Sequence, residues 1–96
     1  MIEKQVRYLV LEALRKAYPD GLTLTWLETI LNYYRVFTTQ RDLRRKVIKY
    51  LLEKEYIELI DVELPAFEEN VKQLRITPKG LQLLEGKVID TEVEKV

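Results

Sequence analysis

Near Tyr56 the apolar period of this chain changes, and that change narrows the available folds more than any other feature. Before it, apolar residues recur at three- and four-residue spacing, the mark of helices with one buried stripe. After it they alternate, as half-buried strands do. Helices followed by a strand pair, within 96 residues, read as one small α+β domain.

The first helix is expected from about Glu3 to Ala17, with Val6, Leu9, Val10, Ala13, Leu14 and Ala17 on one stripe. Tyr18-Pro19-Asp20-Gly21 is turn chemistry that ends it, and Leu22-Thr23-Leu24 is the right size for a small strand bridge. Thr25-Trp26-Leu27-Glu28 has capping-box spacing. A second helix is therefore expected from Trp26 to Tyr33, with Leu27, Ile30 and Leu31 inward and Trp26 as a partly buried anchor. The connection Tyr34-Arg35-Val36-Phe37 suits a tight turn between helices. Thr38 or Thr39 then caps a third helix reaching about Lys54, with Asp42 near the positive end of its dipole.

Two strands follow, from about Tyr56 to Leu64 and from Val71 to Thr77, joined as a hairpin through Pro65 to Asn70. In the second, Leu74 and Ile76 should face the core. In the first, the buried face is open between Ile57, Leu59 and Asp61 on one side and Glu58, Ile60 and Val62 on the other. Thr77-Pro78-Lys79-Gly80 starts a last helix, with threonine at the cap and proline at the first helical position. Leu81 and Leu84 pack that helix and Gly86 ends it. The domain is thus read as residues 1–86, and 87–96 as a charged tail with no clear docking surface.

The chain has neither cysteine nor histidine. Disulfides, most zinc and iron sites, thiol nucleophiles and histidine-based catalysis are excluded. No P-loop, dinucleotide-binding glycine motif or calcium loop is present, and no spacing joins an acid, a base and a nucleophile. No enzyme chemistry, metal or cofactor is expected. Met1-Ile2-Glu3-Lys4 runs directly into a charged amphipathic stretch, unlike a leader peptide, and no apolar run is long enough for a membrane span. A cytoplasmic protein without a membrane partner is the expectation.

Sixteen basic and sixteen acidic residues cancel overall, but they are unevenly placed. Between Arg35 and Lys54 seven basic residues face two acidic ones, a local net charge of +5. A positive segment in a neutral chain is a better pointer to nucleic acid than the overall balance.

Two stretches carry a family resemblance. Leu51-Leu52-Glu53-Lys54-Glu55-Tyr56-Ile57 is similar to the end of a recognition helix turning into a first wing strand. Leu74-Arg75-Ile76-Thr77-Pro78-Lys79-Gly80-Leu81 resembles the second wing strand and following helix of MarR- and PadR-like regulators. Together they resemble the winged helix-turn-helix superfamily over about Tyr8 to Gly86. The length and closing run also resemble small winged-helix proteins of Mu-like phages. The resemblance implies a three-helix core, a two- to three-stranded antiparallel wing and a C-terminal helix. Many members carry glycine where Glu55 stands here.

The resemblance also implies a function: binding of double-stranded DNA through the third helix, in transcription regulation, by a dimer. On that helix Leu43, Val47, Tyr50 and Leu51 form the core face, and Arg41, Arg45 and Lys49 lie opposite at four-residue spacing. Thr39, Gln40, Arg41, Arg44 and Arg45 would come nearest the base edges, where arginine suits guanine and glutamine suits adenine, at about 1–3 kcal/mol of discrimination each. Lys46 and Lys49 suit phosphates, and Lys72 and Arg75 on the second strand could touch the backbone. Ile48 and Leu52 point to the same basic side, and the hairpin loop holds Glu68 and Glu69. Those features keep an alternative open, in which the domain docks a protein partner in a larger complex, or a second copy, through Ile48 and Leu52.

Overall fold

A computed structural model describes residues 2–33, 41–64, 66 and 69–96, without the side chains of Arg41, Asp42 and Glu69. In order, its elements are α1 (Glu3–Ala17), α2 (Leu24–Tyr33), α3 (Arg41–Glu53), β1 (Ile57–Leu64), β2 (Glu69–Ile76) and α4 (Pro78–Leu84). The α+β order expected from the apolar period is thus present, as four helices and a two-stranded antiparallel sheet.

At the centre lies α1. Val6, Val10, Ala13 and Leu14 are buried as its stripe requires, and Leu11, outside that stripe, is buried too. Packing against α2, α3, β2 and α4 explains the wider buried arc. Leu27 and Leu31 of α2, Val47 and Leu51 of α3, Tyr56 and Ile57, and Leu74 and Ile76 of β2 complete one core.

The start of α2 differs from the capping box expected at Thr25. The hydroxyl of Thr23 accepts from the N–H of Trp26 at 3.2 Å, so the helix begins two residues earlier, at Leu24. Thr25 is already helical, its carbonyl accepting the Thr29 hydroxyl, and the Glu28 carboxylate is engaged by Arg44 instead. Trp26, expected as a partly buried anchor, is 63% exposed. It lies one residue before the inward Leu27, on the outer side of the helix.

The hairpin pairs Ile57 with Ile76 through to Leu64 with Glu69. Leu22 bridges Leu74, with both backbone hydrogen bonds near 2.9 Å, so the bridge expected after the first helix is present and remains a single pair. The face of β1 left open by the sequence is the one with Ile57, but only at its base. Leu59 and Asp61, further out on that face, are exposed because the hairpin extends beyond the helices.

The turn from α3 to β1 is a Schellman motif. The N–H of Tyr56 reaches the carbonyl of Leu51 and that of Glu55 the carbonyl of Leu52, both at 3.0 Å, with Glu55 at φ 63°. At α4 the Thr77 hydroxyl caps Gly80, Pro78 is the first helical residue, and Gly86 at φ 81° closes a second Schellman turn. A Cβ on Gly80 would fall on the Tyr56 carbonyl oxygen, so only glycine lets α4 approach the turn into β1 so closely.

The charged tail, for which no docking surface was expected, is docked. Asp90 accepts the hydroxyls of Tyr50 and Tyr56, each at 2.8 Å. The guanidinium of Arg7 donates to the Glu92 carbonyl at 2.8 Å and to the Glu3 carboxylate at 2.9 Å, while stacking 4.4 Å from the Tyr50 ring centre. The N–H of Glu94 donates to the Lys4 carbonyl, and Val93 packs against the core. Arg7 is buried with its charge satisfied by Glu3 of α1 and by Glu92 of this strap, although its Nε has no partner.

Candidate functional site

On α3, Val47 and Leu51 enter the core and Leu43 and Tyr50 flank them. This rotation turns Arg45, Lys46, Lys49 and Leu52 outward, with Ile48 half-buried between. The helical spacing therefore sets up the expected cationic face. Its members differ in how free they are.

Arg44 is paired with Glu28 of α2, and its side chain is only 20% exposed. Its Nε is buried without a partner. A guanidinium held this way bridges α2 and α3, and is committed within the fold. Arg45 and Lys46 are exposed and form no ion pair among the described residues. Lys49 is 76% exposed, with the Glu53 carboxylate 3.9 Å away on the next turn. At such exposure this pair contributes little and gives way readily. Thr39, Gln40 and the side chain of Arg41 lie outside the described residues, as do Glu68 and the side chain of Glu69, whose backbone is already the first residue of β2.

The two strand residues separate. Lys72 shares the sheet face of Leu74 and Ile76, whose base enters the helical core, and it is exposed beyond that base, opposite Asp61. Arg75 projects from the other face and is tied to Glu58 at 2.5 and 2.8 Å. The period of two puts them on opposite sides, so one surface cannot take both. Lys72 is the one on the face that continues the helical layer.

The outer side of α3 also holds a feature that charge counting missed. Leu24, Ile48 and Leu52 form the floor of an open groove of about 700 Å³ between α3 and the start of α2, with Glu28, Arg44, Arg45, Lys49 and Glu53 on its walls. Leu24 is 50% and Leu52 37% exposed. The sequence signal for Leu52 and Ile48 was their position on the basic side; Leu24 could not be added without knowing that α2 begins there.

Among the described residues, no cluster of three or more carboxylates is placed to hold a metal ion. Among the same residues, no helix is long and apolar enough to cross a membrane. No protein-family model, curated protein or solved structure matches the chain.

Proposed function

We propose that this chain is a winged helix-turn-helix domain that binds double-stranded DNA through α3 and acts in transcription regulation, without catalytic chemistry of its own. The observation that carries this reading is the outward face of α3, where Arg45, Lys46 and Lys49 are exposed on a helix whose back is locked into the core by Val47 and Leu51. The helix order and the hairpin after α3 are compatible with α3 as the recognition helix and β1–β2 as the wing. Lys72, exposed on the hairpin, adds a contact to the DNA backbone in this reading. Arg44 and Arg75 belong to the fold in this reading, because each is held by a carboxylate. One domain offers few contacts, so two copies on adjacent half-sites complete the proposed complex.

Binding to a random-sequence duplex at two salt concentrations tests it. Four phosphate contacts, from Arg45, Lys46, Lys49 and Lys72, give a log–log salt slope of about −3.6, or roughly a 10²-fold loss between about 50 and 200 mM. Arg45→Ala with Lys49→Ala should weaken binding and flatten that slope, whereas Arg75→Ala should leave the slope unchanged. Affinity indifferent to salt and to the double change would refute the proposal.

A further inference from the structure

Phosphates can satisfy the rim of the α3 groove but not its floor. A duplex seated on Arg45, Lys46 and Lys49 still leaves Leu24, Ile48 and Leu52 without an apolar partner. We infer that the groove is a docking site for an acidic amphipathic helix of a partner protein, whose binding excludes DNA from α3. The inference rests on the DNA reading of this face.

Three observations specify the occupant. The floor is apolar and runs beside α3 from Arg44 to Glu53, about 13 Å at the rise of a helix, or some two and a half turns. Ile48 and Leu52 stand one turn apart and form a ridge along α3, with Leu24 across from them at the start of α2. Apolar residues at i, i+3, i+4 and i+7 of an incoming helix fit into such a ridge. The walls carry an excess of positive charge. Glu28 is neutralised by Arg44, Glu53 is loosely paired with Lys49, and Arg45 has no acidic partner among the described residues, with Lys46 on the flank. A basic helix would meet Arg45 unfavourably, whereas glutamates beside the apolar stripe would pair with it. Such a helix covers the same cations as a phosphate backbone and the floor as well, so both ligands cannot sit on α3 together.

The test uses a dye-labelled synthetic peptide of about four turns, with leucines at i, i+3, i+4 and i+7 spacing and glutamates elsewhere. Controls are a scrambled peptide of equal composition and a version with lysines for glutamates. Fluorescence anisotropy should show saturable binding of the first peptide alone, and displacement of a labelled duplex by it. Leu52→Gln and, independently, Leu24→Gln leave every charge in place. Each should weaken the peptide about tenfold or more while changing duplex affinity less than twofold. Circular dichroism establishes that both exposed-site variants are folded.

Equal binding of the scrambled peptide, or binding unaffected by both glutamine variants in folded protein, overturns the inference, since charge alone would then account for it. Duplex binding without peptide binding overturns it and leaves the DNA reading intact. Peptide binding that depends on Leu52, in a protein that takes up no duplex, overturns the DNA reading and the competition, and supports the groove as a protein-docking surface.

Discussion

Glu55 adopts a left-handed backbone conformation, φ 63°, at the position of the Schellman turn where helices most often use glycine. For an L-residue this conformation costs about 1–2 kcal/mol. Replacing Glu55 with glycine removes that cost and adds about 0.4–1 kcal/mol of unfolded-chain entropy. Its carboxylate also stands next to the negative end of the α3 dipole, so its removal adds a few tenths in the same direction. The turn itself survives the change, because none of its hydrogen bonds uses the Glu55 side chain: the Tyr56 and Glu55 N–H groups donate to α3 carbonyls, and the Glu55 carbonyl accepts the Thr77 hydroxyl at 2.6 Å. Glu55→Gly should therefore stabilise the fold by about 0.5–1 kcal/mol, a rise in Tm of roughly 3–6 °C for a domain of this size. Thermal unfolding followed by far-UV circular dichroism measures this, with urea unfolding to confirm an unchanged m-value. Gly86, at φ 81° in the same motif at the end of α4, supplies the converse: Gly86→Ala should lose about 1 kcal/mol although nothing lies within 4 Å of the new Cβ. A Tm lowered or unchanged by Glu55→Gly, with Gly86→Ala behaving as expected, would refute the backbone argument at the α3–β1 turn.

Two further changes probe how α4 and the tail are held. Gly80→Ala should destabilise by about 2–3 kcal/mol in urea unfolding, since its Cβ would strike the Tyr56 carbonyl and lie 2.7 Å from Ile76 Cγ1, both in the core. Burial pushes the Asp90 carboxyl up, but hydrogen bonds from the Glu92 N–H and the Tyr50 and Tyr56 hydroxyls outweigh it and hold the group below the usual aspartate range. The unfolded chain therefore takes up this proton first as pH falls, so Asp90 stabilises fully above pH ~4 and its contribution disappears as pH drops through the folded value. Burial first, then the Asp90 hydrogen bond and charge, push Tyr50 up to about 12 and Tyr56 further. Stability should consequently also decline above pH ~10, where unfolded tyrosine ionises. Unfolding free energy measured against pH should lose part of the acid limb in Asp90→Asn, and ultraviolet titration should show two of the six tyrosines ionising earlier in that variant. Unaltered profiles would refute the docking of Asp90.

Local signals in the sequence are legible where local chemistry decides the structure. The bounds of α1, the Thr77 and Pro78 start of α4, its end at Gly86 and the inward Leu74 and Ile76 all follow from caps, breakers and period. At α2 two candidate caps compete. Thr25 has the better pattern, yet Thr23 wins because the Leu22–Leu74 bridge ends there and Glu28 has a tertiary partner in Arg44. Periodicity leaves the inward face of β1 open, because both faces carry apolar residues, and it does not say how far the helical layer reaches, so Leu59 is exposed on a face whose base is buried. In the candidate site, helical spacing located Arg45, Lys46 and Lys49, while the commitment of Arg44 to Glu28 depends on how α2 packs on α3. The tail has no period at all. Its docking depends on single polar contacts with residues 34 to 90 positions away, which no window of sequence displays.

Those separations have a kinetic meaning. The contacts of Glu92 and Glu94 with α1 close the longest loops in the fold, those of Asp90 close shorter ones back to Tyr50 and Tyr56, and none is needed for α1, α3 and the hairpin to find one another. Contacts that close long loops late are absent from the folding transition state. Loosening the strap should then leave the refolding limb of a chevron plot where it is and raise the unfolding limb. The strap, formed last and opened first, determines how long the domain stays folded rather than how quickly it arrives there.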